Sequence, residues 1–339
     1  MSKQIKDKSS MHRLYEITNS QYSIDKKFAN LINKVIEAPY EILLEAIKLN
    51  FSKLPEDFKK SYQENTQIYN MNGAHGIIDE EKNIYTRLEL RANQLANHWE
   101  DLLWMYTMLQ DYRSKATLSY VLWSWVNFDL KPITALSCHP FANYFDLDIL
   151  KPVKNEVFVD LGCFDGTTIL DYINSYGAGY KRIYAYEPTP DMYKILQVTF
   201  KSVSGIVFRQ KAVSDKSGEM YLVEDAVIQT RNAIKETGDI KVEVVTLDED
   251  IQEPITFLKM DIEGSEQSAI RGAAKHIQRT KPKLAITVYH APEDLWQVAR
   301  IIDEIQPGYK FYMRRTALYI HAHIPTEVSI LAVHPESGA

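Results

Sequence analysis

The chain has 339 residues, of which 45% are hydrophobic and 25% charged, and its formal net charge is -6. This composition is typical of a globular protein of one or two domains, and the negative charge argues against a nucleic-acid-binding surface, which needs concentrated Lys and Arg. There is no signal-peptide pattern and no apolar run long enough to span a membrane, so we expect a cytoplasmic protein.

The first 130 residues predict an all-helical domain. After a polar, weakly ordered segment at residues 1–20, apolar residues recur every three or four positions from 24 to 54, with a break at Pro39. Residues 60–80 predict a loop, and helices are predicted at 89–110 and 114–125. The tryptophans of this region are predicted to pack between helices rather than to form a sugar-stacking surface. They are Trp99, Trp104, Trp123 and Trp125.

The pattern changes after an irregular bridge at residues 131–155. From 156 to 339, strand-like and helical segments alternate, which predicts a parallel sheet with crossover helices. The seven main strands are predicted at 157–161, 182–187, 206–213, 256–260, 284–289, 309–314 and 327–333. The segments 218–223 and 241–247 predict added strands or a hairpin.

The first strand of this region is followed by a turn that carries two acids and two glycines. Asp160, Gly162, Asp165 and Gly166 replace the G-x-G-x-x-G pattern that cradles a pyrophosphate at a helix N-terminus. The acids would repel a phosphate but suit a ligand with a cationic end, such as S-adenosylmethionine. A glycine at 162 would let the backbone approach that ligand closely.

The second strand ends in Glu187 and Pro188, 25 residues after Gly162. An acid at this position can accept hydrogen bonds from ribose hydroxyls. The turn and this acid together favour a nucleoside-binding site over an ordinary strand-turn-helix corner.

Two later strands end in groups that can do proton chemistry. The segment 257–266 ends a strand in Asp261, Glu263 and Glu266, and the next strand ends near His290. Lys259 and Asp261 share one face of their strand, where a lysine must be paired. Glu266 could equally be an acid that favours a helix N-terminus.

The segments VFVDLGCFDGTTI, YAYEP, KAVSDKSGEMYL, ITFLKMDIEGSEQSAIRGAAKHI and KPKLAITVYH, in this order, resemble the FkbM family of S-adenosylmethionine-dependent methyltransferases. The resemblance covers roughly residues 110–335. It implies an α/β class I methyltransferase fold, Rossmann-like, with a seven-stranded sheet whose last strand is antiparallel, preceded here by the helical domain. It also implies O-methylation of glycans, lipopolysaccharides, glycolipids or natural products. Cys163 stands where the family often has Ala.

The resemblance places Asp160 and Gly162 beside the methionine part of the cofactor, Glu187 at the ribose, and Ala212 and Val213 beside the adenine. The predicted cofactor-binding residues are Asp160, Gly162, Cys163, Phe164, Gly166, Thr167, Glu187, Pro188, Ala212, Val213 and Asp261.

A sugar hydroxyl is a weak nucleophile, so we expect a base, either His290 or Asp261, with Lys259 fixing the carboxylate. In a variant of this hypothesis, Asp261 and Glu263 bind a divalent metal, such as Mg²⁺, that lowers the pKa of the hydroxyl. His321 and His323 are a reserve pair of metal ligands.

Three other functions stay open from the sequence. They are methylation of nitrogen or of a peptide, a cofactor-binding scaffold for a glycan-assembly complex, and a nicotinamide oxidoreductase, which the acidic turn disfavours. The helical domain is expected to cover the acceptor site or to form a homodimer interface.

Overall fold

The computed structural model describes residues 7–68, 70, 73–136, 141, 143–223, 233–235, 237–238, 240–316 and 326–337. The chain forms two compact units. The first comprises residues 1–138, 291–297 and 312–328, and the second comprises 139–290, 298–311 and 329–339. His321 and His323, the reserve metal ligands, lie outside the described residues.

The N-terminal region is helical, as predicted. Its helices are α1 (Lys8–Thr18), α2 (Ser23–Glu37), α3 (Tyr40–Ser52), α4 (Glu56–Ile68), α5 (Thr86–Asn97), α6 (Trp99–Met108), α7 (Tyr112–Asn127) and α8 (Lys131–Thr134).

Three local predictions in this region were wrong. Residues 8–18 are helical because the Asp7 side chain accepts hydrogen bonds from the first free N–H groups, those of Ser9 and Ser10. Residues 60–68 belong to α4 rather than to a loop, and their helix buries Tyr62. The predicted helix at 89–110 is two helices that meet at His98.

Aromatic side chains form much of the core of the first unit. Phe28 stacks on Tyr106 with ring centroids 3.9 Å apart, and the Tyr106 hydroxyl donates to Asp25 Oδ1. Three of the tryptophans are buried, which confirms that they pack between helices, whereas Trp123 is 42% exposed. The three buried ones are Trp99, Trp104 and Trp125.

The remaining elements alternate between strands and helices. The strands are β1 (Val157–Leu161), β2 (Arg182–Tyr186), β3 (Ile206–Arg209), β4 (Ala212–Val213), β5 (Gly218–Val223), β6 (Ala233–Lys235), β7 (Ile240–Val245), β8 (Phe257–Met260), β9 (Lys283–Thr287), β10 (Lys310–Arg315) and β11 (Val328–Val333). The helices are α9 (Thr167–Tyr176), α10 (Pro190–Thr199), α11 (Leu247–Asp250), α12 (Glu266–Arg271), α13 (Ala274–Thr280) and α14 (Asp294–Ile305).

The main sheet has seven strands in the order β10-β11-β9-β8-β1-β2-β3. Strands β9, β8, β1, β2 and β3 pair in parallel, and β11 pairs antiparallel with β9, which confirms the predicted antiparallel last strand. All five residues of β1 are buried, as expected for a central strand covered on both faces. Because β1, β2, β8 and β9 run in parallel, the segments that follow them meet at one edge of the sheet.

A second sheet has four strands in the order β4-β7-β5-β6, and the two segments predicted as added strands or a hairpin are its antiparallel neighbours β5 and β7. The predicted strand at 206–213 is therefore wrong in one respect. It breaks after Arg209, and Ala212–Val213 pairs with β7 in the second sheet. Within the described ranges, no helix combines the length and the hydropathy needed to cross a membrane.

Candidate active site

A buried ion pair joins β1 to its neighbour β8 near the edge of the sheet where the segments after the parallel strands meet. Asp160 and Lys259 are directly opposite in the β1–β8 register, and Lys259 Nζ lies 2.9 Å from Asp160 Oδ1. The ammonium also donates to the carbonyl oxygens of Gly162, at 2.9 Å, and Leu161, at 3.3 Å. The lysine is therefore paired, as its burial demands, but its ion pair is with Asp160, whereas the expectation from the sequence was that it would fix Asp261.

Burial and attraction within the pair have opposing effects on the pKa values of Lys259 and Asp160. Burial by itself lowers the pKa of Lys259, but attraction to Asp160 and then to Asp261 outweighs burial, so its pKa is raised. Burial raises the pKa of Asp160, and the nearby ammonium opposes that effect. The shifted pKa therefore favours a charged Lys259, which contacts both Asp160 and the turn that follows β1.

The first glycine of this turn is required by the protein's own backbone. Gly162 has a φ of +78°, and a Cβ built there would lie 1.9 Å from the carbonyl oxygen of Asp261. Gly166 has a φ of +90°, and a Cβ there would lie 2.3 Å from the Phe200 ring. The expectation that Gly162 makes room for a ligand is therefore revised, because the close neighbour is the segment after β8.

Glu187, predicted to hold a ribose, is buried and anchors the same turn. Its Oε2 accepts from the N–H of Phe164 at 3.0 Å, and its Oε1 accepts from the N–H of Thr189 at 2.8 Å. Burial raises the pKa of Glu187, although these hydrogen bonds oppose the shift. Each carboxylate oxygen retains a further lone pair, so the ribose role stays a prediction.

The smaller predicted cofactor contacts lie around the turn. Cys163 is buried, and its thiol donates to the carbonyl of Tyr186 at 3.4 Å, while burial raises its pKa well above the usual value. Thr167 is exposed at the start of α9, and Pro188 is half-buried. The predicted contacts of these residues with the cofactor stay predictions.

Ala212 and Val213 are both buried in β4, at the edge of the second sheet. They lie three residues or more beyond the end of β3. Their predicted contact with an adenine ring stays a prediction.

Asp261 is the centre of a second group of polar side chains. Its Oδ2 accepts a hydrogen bond of 2.6 Å from the hydroxyl of Tyr144, and its Oδ1 accepts from Thr287 at 3.3 Å. The same Oδ1 lies 3.5 Å from Nε2 of His290, which confirms that the residues at the ends of β8 and β9 meet. Tyr144 belongs to the irregular bridge, and no sequence pattern pointed to its hydroxyl.

His290 is held from its other side by Glu266. Its Nδ1 lies 3.0 Å from Glu266 Oε1, and both side chains are buried. Glu266 also accepts from the backbone N–H groups of Ile262, at 2.8 Å, and Gly264, at 3.0 Å. The sequence also allows Glu266 to be an acid that favours a helix N-terminus. It is the first residue of α12, and it also positions the imidazole.

These contacts determine which groups carry protons. Burial by itself lowers the pKa of His290, but attraction to Glu266 and hydrogen bonding to it outweigh burial and raise the pKa well above its usual value. Burial raises the pKa of Glu266, but His290 and the backbone hydrogen bonds lower it overall. Both shifts favour a carboxylate on Glu266 and a proton on the His290 imidazole.

Three residues at this edge could also hold a cation. Asp261, Glu263 and His290 each offer one ligand atom, and these atoms lie within 4.8 Å of one another. Nε2 of His290 is buried, has no hydrogen-bond partner in the described part of the chain, and lies 3.5 Å from both Asp261 Oδ1 and Glu263 Oε2. The sequence suggested the two acids, and the structure adds the histidine. A mixed nitrogen and oxygen set suits Mn²⁺ or Zn²⁺ better than Mg²⁺.

The donor side suits a cationic ligand. Asp160 Oδ2 is buried and has no hydrogen-bond partner among the described residues, and Glu187 adds a second acid to the same turn. These carboxylates would attract the ammonium or sulfonium of S-adenosylmethionine and repel a phosphate. The residues present therefore fit that cofactor.

Part of the chain matches a known protein family. Residues 160–315 match the family model of the methyltransferase FkbM domain. The match includes the turn after β1, Glu187, Asp261 and His290. The resemblance inferred from the sequence is confirmed for this part of the chain. No curated protein matches the chain.

Among solved structures, the chain is similar to methyltransferase FkbM from Methylobacillus flagellatus KT. The TM-score is 0.60 at 22% identity, over 72% of this chain and 62% of that one, so the chain spans about three fifths of that relative. An rRNA methylase from Streptococcus thermophilus (TM-score 0.36, 13% identity, 55% of this chain and 90% of that one) is a weaker match. So is Aeropyrum pernix fibrillarin with bound S-adenosyl-L-methionine (0.33, 12%, 53% and 67%).

Proposed function

We propose that this chain, which contains a methyltransferase FkbM domain at residues 160–315, transfers the methyl group of S-adenosylmethionine to a sugar hydroxyl. The sugar would belong to a glycan, a lipopolysaccharide or capsule, or a glycosylated natural product. The observation that carries this proposal is the adjacency of an acid-lined turn, with Asp160 and Glu187, to the Asp261–His290 pair at the next strand ends. A donor site and a proton-accepting group then share one edge of the sheet.

The donor side would work by charge and position. S-adenosylmethionine, when bound, supplies an electrophilic methyl group on a sulfonium. Asp160 would accept a hydrogen bond from the cationic end, with Lys259 stabilising the buried carboxylate from below. Glu187 would accept from the ribose while its backbone hydrogen bonds keep the turn fixed. Rigid positioning of this kind supplies much of the acceleration in a displacement reaction.

On the acceptor side, Asp261 is the better candidate for the first proton acceptor. The contact with Glu266 raises the pKa of His290 and favours its protonated form, which is a poor proton acceptor. Asp261 is the more exposed of the two, at 21% of its side chain against 6% for His290. His290 and Tyr144 would then orient the Asp261 carboxylate, and the imidazolium would stabilise its charge between turnovers.

A second arrangement of the same residues is favoured by the unpartnered Nε2 of His290. If Asp261, Glu263 and His290 bound a divalent cation, the cation would replace the histidine proton and would lower the pKa of a coordinated hydroxyl. Activity that is lost in EDTA and restored by Mn²⁺ or Zn²⁺ would support this arrangement. Activity that is unchanged in EDTA would exclude it.

The proposal is tested first by binding and then by transfer. In calorimetric titration, the full chain should bind S-adenosylmethionine and not NAD. With isotopically labelled methyl groups, the label should appear on sugar hydroxyls of lysate glycans. The Asp261→Asn variant should bind the cofactor and lose transfer by about 10²–10⁴-fold. The matched variant Asp191→Asn, which removes an exposed acid of α10, should behave as the wild type.

Other results would overturn specific parts of the proposal. Label found on peptide or amine nitrogen would replace the sugar acceptor by the other class of acceptor. Cofactor binding without transfer to any fraction would favour the scaffold function. No binding of S-adenosylmethionine would reject the proposal as a whole.

A further inference from the structure

The helical unit contains two buried arginines that lie away from the candidate active site. Arg87 and Arg91 are one turn apart on α5, and each side chain is only 3% exposed. Neither guanidinium forms an ion pair with a carboxylate among the described residues, although Nη1 of Arg87 donates a long hydrogen bond of 3.5 Å to the carbonyl of His75. Two like charges in a helical core without a counter-ion are unusual, because a buried charge is costly unless it is paired.

Three hydrogen-bonding atoms in this cluster have no partner in the part of the chain that the structure describes. They are Nε of Arg87, Nη1 of Arg91 and the hydroxyl of Tyr62, which is itself 1% exposed and lies on α4. Burial lowers the pKa of Arg91 to about 10, and Arg87 adds to the decrease whereas Tyr62 opposes it. The cluster therefore has unused donors and an unbalanced positive charge.

Aromatic rings contact Arg91 but do not provide hydrogen-bond acceptors. Its Cζ lies 5.9 Å from the ring centroid of Tyr62 and 6.0 Å from those of Trp125 and Phe128. Such contacts stabilise a guanidinium through its faces and leave the N–H groups at its edge free. Cation–π contacts and the nearby Tyr62 hydroxyl account for the surroundings of Arg91, but not for a second buried arginine beside it whose Nε has no partner among the described residues.

We infer that Tyr62, Arg87 and Arg91 form a binding site for a small oxyanion within the helical unit. A phosphate or a carboxylate group matches this site, because an oxyanion accepts several hydrogen bonds and neutralises both guanidinium groups. The aromatic rings give the site an apolar wall that suits the carbon skeleton carrying such a group. This site goes beyond the proposed methyl transfer and does not depend on it.

The test is anion binding by the full chain at constant ionic strength, with chloride as the balancing salt. Inorganic phosphate, acetate and glucuronate are titrated separately by calorimetry and in thermal unfolding, with glucose as the neutral comparison. We expect at least one of the anions to bind and to raise the midpoint temperature of unfolding, whereas glucose does neither. Preference for phosphate or for the carboxylates then identifies the source of the anion.

Two variants and one matched control make the result specific. Arg91→Met should weaken anion binding by at least about tenfold, and Tyr62→Phe should weaken it by a smaller factor with the ring retained. Arg13→Gln removes an exposed positive charge of α1 and should leave binding unchanged. Without anion, Arg91→Met should unfold at the same temperature as the wild type or higher, because it removes an unpaired buried charge.

Several outcomes would overturn the inference. They are no binding of any of the three anions, binding that persists in both Arg91→Met and Tyr62→Phe, and equal loss in Arg13→Gln. Loss of folding in Arg91→Met together with unchanged anion binding in Tyr62→Phe would instead assign the arginine a packing role only.

Discussion

Lys259 Nζ lies 2.9 Å from Asp160 Oδ1, and neither side chain is more than 1% exposed. This pair links β1 to β8, the strand that precedes Asp261. It also explains why a lysine is tolerated inside a buried strand, since its three N–H donors have acceptors in Asp160, Leu161 and Gly162.

The first prediction concerns this ion pair. Lys259→Met should lower the free energy of unfolding by about 3–5 kcal/mol, because it leaves the Asp160 carboxylate buried without a counter-ion. The double variant with Asp160→Asn should recover most of that loss. Urea unfolding followed by circular dichroism measures both.

The control is an exposed pair on α10. Lys194→Met breaks a contact of 3.0 Å with Asp191, in which both side chains are mostly exposed. Such pairs contribute little, so the free energy of unfolding should change by less than about 1 kcal/mol. Equal losses in Lys259→Met and Lys194→Met would contradict the buried-pair argument.

A second prediction concerns the hydroxyl of Tyr144. Tyr144→Phe removes the 2.6 Å hydrogen bond to Asp261 and keeps the ring, which lies 5.1 Å from Lys259 Nζ. We expect a decrease in kcat of about tenfold or more with little change in cofactor affinity, because Asp261 loses its shortest hydrogen bond and is then held by the longer contacts with Thr287 and His290. Steady-state kinetics and calorimetry separate the two effects.

Tyr180→Phe is the matched control for Tyr144→Phe. It removes a hydrogen bond of 2.9 Å to the Ser204 carbonyl in an exposed part of the same unit. Its kcat should equal that of the wild type. A similar decrease in both variants would mean that Tyr144 acts through stability rather than through Asp261.

The third prediction concerns Gly162. Gly162→Ala should destabilise the fold and weaken S-adenosylmethionine binding, because its Cβ would collide with the Asp261 carbonyl and its φ is +78°. Gly177→Ala shares the unfavourable φ, +79°, but its Cβ would meet no atom within 4 Å. The ψ of Gly177, -176°, also lies in a region that side chains rarely adopt, so the control should lose about 1–3 kcal/mol of stability and keep cofactor affinity. Equal losses of stability and of cofactor affinity in both variants would contradict the argument that the Cβ of residue 162 collides with the Asp261 carbonyl.

The fourth prediction is a pH dependence at His276. This side chain is 2% exposed, its Nε2 contacts the Ile251 carbonyl at 3.0 Å, and burial lowers its pKa below the usual 6.5. Below pH 6.5 the unfolded chain binds a proton that the folded chain does not, so stability should fall as the pH falls. In His276→Gln, urea unfolding between pH 7.5 and 5.5 should show a smaller loss.

His12→Gln is the control for that measurement, because His12 is exposed on α1. Its stability should depend on pH as in the wild type. If His276→Gln and wild type had the same pH dependence, burial of His276 would not be the cause of acid destabilisation.

The strand predictions succeeded where local pattern and tertiary packing agree. The buried runs of β1, β2, β8 and β9 are apolar because both faces of a parallel sheet are covered, so short windows identified them. The prediction of a loop was wrong at residues 60–68. This part of α4 is mostly polar, and one buried aromatic residue, Tyr62, does not make an apolar pattern of helical spacing. The prediction of one continuous strand at 206–213 was wrong because no local pattern indicates that β4 pairs with β7 in the second sheet.

The sequence alone determined the acidic turn, the strand-end residues Asp261 and His290, and the resemblance of the chain to a family. Residue type and spacing along the chain carry that information. The pairing of Lys259 with Asp160, the contacts of Tyr144 and Glu266, and the arginine cluster of the helical unit follow only from the tertiary structure. They join residues 24 to 117 positions apart or depend on which side chains are buried without a partner. Burial and long-range proximity are properties of the packed chain, so no local pattern contains them.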